Sequence, residues 1–75
     1  MSEVQRHAKV GEYVKIVKSK YILNRFKVGE IHKVVRLLDE DGWKRPGHVF
    51  LDCGGIQAIP SEYVVLEGYD GTMAD

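Results

Sequence analysis

The sequence is short of the features that staple, anchor or activate a protein. It has a single cysteine, Cys53, so no intramolecular disulfide can form, and no Cys/His spacing suits a four-ligand zinc site. No apolar run approaches the roughly 20 residues that a membrane-spanning helix needs. The first residues, Met1 to His7, lack the apolar stretch of a signal peptide. A lone reduced thiol fits a reducing compartment, so the expectation is a soluble, cytoplasmic protein with no membrane association. Net charge is zero, which argues against strong non-specific binding of nucleic acid by the whole chain. Catalytic groupings are scarce as well. His7, His32 and His48 are scattered, Ser19 and Ser61 have no evident base, and Cys53 near His48 reads better as a small turn residue than as a nucleophile. Asp39, Glu40 and Asp41 match no calcium loop, and Gly54-Gly55 alone is no phosphate loop. The expectation is therefore not an enzyme, with no cofactor and no metal.

What is present is one small domain's worth of short apolar strands. The chain has 75 residues, enough for a single domain with a modest core. Val14 and Ile16 alternate with Tyr13, Lys15 and Val17, which predicts a strand after a turn at Gly11-Glu12. Val28-Gly29-Glu30-Ile31 then repeats the pattern of Val10-Gly11-Glu12-Tyr13. An apolar residue, glycine and glutamate are a common way into a strand, and nothing continues the period into a repeat architecture. The phase over Ile31 to Leu38 is imperfect, so either both faces are partly covered or a bulge shifts the register. Lys18 to Lys27, rich in base and ring, reads as a long loop. Val49 and Leu51 alternate with Phe50 after the breaks at Asp39-Gly42 and Lys44-Gly47.

The strongest local signal is Ile56 to Leu66. A short apolar strand meets Pro60, which fixes φ for a single-turn helical corner before the last strand, Val64 to Glu67. Five strands with turn signals about ten residues apart predict an all-β fold, a small five-stranded barrel with one short helical turn before the last strand. The barrel is expected over residues 9–67, with flexible tails at 1–8 and 68–75. The expected core is Val14, Ile16, Ile31, Val35, Val49, Leu51, Ile59 and Val64. Charge is unevenly spread along the chain. Up to residue 38, nine bases stand against three acids; from Asp39 on, two bases stand against eight. That split suits a molecule able to orient a charged partner.

From Phe26 to Leu66 the sequence resembles SH3 domains. Phe26-Lys27-Val28-Gly29-Glu30-Ile31 looks like the segment that closes the family's RT loop. Asp39-Glu40-Asp41-Gly42-Trp43 looks like the n-Src loop and the tryptophan after it. Gly55 to Val64 is similar to the family's Gly-to-Pro-Ser-x-Tyr-Val run. The resemblance is closer to the small SH3-like barrels of bacteria and phages than to eukaryotic signalling domains. It implies a non-catalytic module that holds a protein or peptide through Trp43, Pro60 and Tyr63, with Tyr21 beside them. Three departures stand out. The family's alanine-leucine-tyrosine-aspartate-tyrosine opening is absent, since the first strand reads Gly11-Glu12-Tyr13-Val14-Lys15-Ile16; Lys44 occupies the second tryptophan's place; and Lys18, Lys20, Arg25 and Lys27 occupy a loop where the family carries acids. Those bases, with Lys15, surround Tyr21 and Phe26, so a nucleic-acid-binding barrel is the alternative, with bases stacked on the rings. A structural or assembly protein, of the kind phages encode, is the third reading.

Overall fold

The computed structural model describes residues 2–19, 26–38, 46–52, 57–69 and 71. The fold is all-β. Five strands, β1 (Ser2–Val4), β2 (Tyr13–Ile16), β3 (Ile31–Leu37), β4 (Val49–Leu51) and β5 (Tyr63–Glu67), pair antiparallel in the order β1-β5-β2-β3-β4. A single 3-10 turn, Pro60–Glu62, leads into β5. The expected fold class holds, but two elements differ. Residues 2–4 are not a tail: they form β1 along β5, with Glu3 opposite Leu66 and Val4 opposite Val65. The strand expected before Pro60 is reduced among the described residues to one bridge, Ala58 to Val49, with N···O distances of 2.8 and 3.0 Å.

The inner face of the sheet follows the two-residue period of β structure. Val14 lies opposite Val65, and Ile16 opposite Tyr63. Those four, with Ala8, Phe26, Val34, Val49, Leu51 and Ala58, form one buried cluster against which Leu37 packs. Burying a side chain of the valine or isoleucine class contributes about 1.5–3 kcal/mol, so these few residues dominate the stability of so small a chain.

Four expected core residues are corrected. In β3 the register slips between Val34 and Arg36, so Val35 is the extra residue of a bulge. Val34 is buried, while Val35 is 50% exposed. The bulge lets Leu37 return to the inner side three residues after Val34. In β5 the inward set is Tyr63 and Val65, which leaves Val64 half-buried opposite Lys15 on the outer face. Ile31 and Ile59 are half-buried too, Ile31 because it lies opposite Lys15, out of phase with the buried Val14, Ile59 because its neighbour Ala58 takes the buried position.

The similarity between the starts of β2 and β3 has a structural counterpart. Lys9-Val10-Gly11-Glu12 and Lys27-Val28-Gly29-Glu30 fold into equivalent turns. Each glutamate N–H donates to the lysine carbonyl three residues back, at 3.0 and 3.1 Å. In each, the glutamate carboxylate accepts the lysine N–H at 2.7 Å. Both glycines have positive φ, +92° and +95°, the geometry that a type II turn needs at its third position. An added Cβ would meet nothing within 4 Å at either glycine. Replacing Gly11 or Gly29 by alanine therefore tests conformation alone. Each change is expected to lower stability by about 1–2 kcal/mol. Urea denaturation of the two variants should give equal losses within error; unequal losses would show that the turns are not equivalent.

Candidate binding groove

The groove is built from the proline corner outward. Glu62 closes the 3-10 turn: its N–H donates to the Ile59 carbonyl at 2.9 Å, and its carboxylate accepts the Ile59 N–H at 3.1 Å. Its own carbonyl accepts from Val17 and Lys18, at 2.8 and 3.2 Å, which fixes the corner to the end of β2. Tyr63 follows with its ring fully buried. Its hydroxyl donates to the Gly47 carbonyl and accepts the Ala8 N–H at 3.2 Å. Burial pushes the phenol's pKa up, against the hydrogen bond from Ala8. Gly47 is held so closely that a Cβ there would lie 2.5 Å from Pro60 Cγ and 2.6 Å from His7 Cδ2. The outcome is a shallow groove of about 340 Å³, lined by Gln5, Arg6, His7, Pro60 and Ser61.

Arg6 fixes the N-terminal wall of the groove. Its guanidinium is bidentate on Glu12, at 2.9 and 2.6 Å, and its Nε donates to Glu67 at 3.0 Å. It also donates to the His7 carbonyl at 3.0 Å. A planar fork matched to a carboxylate is the strongest ion-pair geometry available to a side chain. The Glu12 and Glu67 carboxylates push the arginine pKa up further. In return, the hydrogen bond from Arg6 and then that from the Lys9 N–H hold the Glu12 carboxyl below its ordinary value, against partial burial.

A second polar cluster lies at the β3–β4 edge. His32 Nδ1 meets Asp52 at 2.9 Å and Nε2 meets Glu30 at 3.2 Å. The Lys27 N–H and then His32 lower the Glu30 carboxyl's pKa. The two carboxylates sit on opposite nitrogens of one ring, so they do not converge on a point that a metal ion could share with it. Among the described residues no group of three ligating side chains could hold a metal.

The residues proposed from the sequence fare unequally. Pro60 lines the groove. Tyr63 is corrected: buried at the centre of the core with its hydroxyl bonded internally, it cannot touch a partner and instead shapes the groove from beneath. Trp43, Tyr21, Lys20 and Arg25 lie outside the described residues. Lys15 is tied to Glu3 at 3.3 Å, while Lys18 and Lys27 are exposed. Phe26 is buried, so it offers no stacking surface to a nucleic-acid base. Gln5, Arg6 and His7 were missed. They fall in a polar stretch without periodicity, and no local pattern pairs Arg6 with Glu12 and Glu67. Among the described residues no helix is long and apolar enough to cross a membrane. No known protein family, curated protein or solved structure matches the chain.

Two outcomes follow from this geometry. Tyr63→Phe leaves the Ala8 N–H and the Gly47 carbonyl without their shared partner; it is expected to cost about 1–3 kcal/mol in urea denaturation and to speed hydrogen exchange at Ala8. Glu12, with its folded-state pKa below the ordinary 4.5, stabilises the fold above that value and loses this contribution as pH falls through the folded pKa. Arg6→Gln should accordingly be less stable than wild type at neutral pH, with the gap closing as pH falls below 4.5 and through the lowered folded-state pKa of Glu12. A gap that stays constant with pH would show that the ion pair carries no net stabilisation.

Proposed function

We propose that the chain is a non-catalytic binding module of the SH3-like barrel type, which takes a protein or peptide partner in the groove beside Pro60 and Ser61. One observation carries the reading: the proline corner and the Gln5–His7 segment together line a concave surface of about 340 Å³, built on a tyrosine that is itself locked in the core. Concave sites with a few polar groups at fixed positions are where ligands are held. The topology supports the family reading as well. The first strand after the Gly11 turn lies between β3 and the last strand, the bridge at Ala58 joins β4, and the 3-10 turn delivers Tyr63 into β5. Trp43, which follows the Asp39–Gly42 stretch, is the expected aromatic anchor. A single thiol, Cys53, suits a cytoplasmic setting.

The exposed bases Lys18 and Lys27 keep their place in the alternative, but burial of Phe26 removes one of the two rings on which stacking of nucleic-acid bases relied. A chemical-shift titration separates the readings. A proline-rich peptide pool is added to the labelled protein, then a mixed single-stranded oligonucleotide at low salt. Peptide-induced shifts centred on Gln5, His7 and Ser61 are expected. Pro60→Ala is expected to weaken peptide binding about tenfold, or about 1.4 kcal/mol, while lowering stability by no more than about 1 kcal/mol, so that the protein stays folded in the titration. Shifts confined to the Lys18 and Lys27 region with oligonucleotide, fading as salt rises, would replace the groove reading.

A further inference from the structure

The two equivalent turns belong to a longer correspondence. Residues 9–18 read KVGEYVKIVK and residues 27–36 read KVGEIHKVVR, an offset of 18. The pairing register obeys the same relation. Tyr13 lies opposite Lys33, Lys15 opposite Ile31, and Val14 opposite His32, its own counterpart. The hydrogen bonds that close the two ends also correspond. Gly11 N–H donates to Val34 O and Val34 N–H to Glu12 O, at 2.9 and 2.8 Å. Gly29 N–H donates to Ile16 O and Ile16 N–H to Glu30 O, at 2.7 and 2.9 Å. The β2–β3 pair is therefore a local two-fold unit whose axis passes between Val14 and His32.

This relation organises the exposed apolar surface. Among the described residues the exposed large hydrophobic ones are Val10 (50%), Val17 (36%), Val28 (62%) and Val35 (50%), and each is the counterpart of another. Val10 and Val35 flank the hydrogen bond from Gly11 to Val34; Val17 and Val28 flank that from Gly29 to Ile16. Two valine pairs thus stand at opposite ends of the unit, roughly 20 Å apart at about 3.3 Å per residue. Exposed cations border each pair: Lys9 at one end, beside Arg36, which stacks over the Phe50 ring at 4.9 Å, and Lys18 and Lys27 at the other. The only acids within the two segments, Glu12 and Glu30, are turned back onto backbone N–H groups and onto Arg6 and His32.

We propose that this face is a two-fold docking surface for an acidic protein partner that presents the same apolar, carboxylate-flanked feature twice. Charge complementarity sets the partner's sign, and the valines set its class. Four exposed aliphatic side chains favour a protein surface, since nucleic-acid bases stack on aromatic rings. The doubling sets its valency: equivalent sites about 20 Å apart reward a ligand that fills both. The proposal is independent of the Pro60 groove.

The test uses the full chain and a synthetic Glu-Leu-Asp-Leu-Glu peptide, as a single copy and as two copies joined by a Gly/Ser linker of about 16 residues, whose mean span matches the separation. The tandem peptide is expected to bind at least tenfold more tightly than the single one. Val17→Ser with Val28→Ser, and separately Val10→Ser with Val35→Ser, should each reduce the tandem to the affinity of the single copy. Both changes lie on the surface and should leave the urea midpoint near wild type. Pro60→Ala should change neither affinity. A tandem no tighter than the single peptide, sensitivity to only one valine pair, or no binding by either peptide would overturn the proposal. So would tighter binding of a single-stranded oligonucleotide that ignores the valine changes, which would assign the face to nucleic acid.

Discussion

The hydroxyl of Tyr63 joins three parts of the chain: β5, the segment that ends at Ala8, and Gly47 before β4. The ring sits among Ile16 and its neighbours in the core, where the hydrophobic effect holds it. The oxygen cannot go unbonded there, and it reaches Ala8 on one side and Gly47 on the other. The Gln5–His7 segment is thereby kept against the barrel, and Gly47 is brought under Pro60 and His7. The floor of the groove thus rests on the satisfaction of one buried polar atom.

Arg6 performs the complementary task at the surface. Its fork spans the Lys9–Glu12 turn and the end of β5, so the N-terminal segment is pinned from outside as well as from within. The two turns that open β2 and β3 use their glutamates alike toward the backbone and differently toward side chains, Glu12 taking Arg6 and Glu30 taking His32. A single turn design thus serves both to enter a strand and to fasten a different neighbour at each end of the strand pair.

How much of this was readable depends on the length scale of each signal. The cores of β2 and β4 were read correctly because Val14, Ile16, Val49 and Leu51 keep an unbroken two-residue period. Val34 and Val35 are chemically identical neighbours, so nothing in the sequence says which one the bulge expels; that choice comes from pairing with Leu51 and Phe50. In β5 the phase was misread because tyrosine suits both a core and a surface, and two adjacent valines left the alternation open. β1 escaped notice since three mostly polar residues have no period, and their partner strand lies more than sixty positions away. The groove was half-visible: Pro60 announces its corner locally, whereas the opposite wall depends on long-range ion pairs.

Gly11 and Gly29 carry a consequence in the chemistry of handedness. Both occupy the region of backbone space that L-residues avoid and their mirror images prefer, and both have open space where a side chain would stand. A chain of 75 residues is within reach of chemical synthesis and ligation. D-alanine at either site would keep the turn's shape while narrowing the conformations open to the unfolded chain. At these two glycines a fold built from one enantiomer already has the backbone that the other prefers.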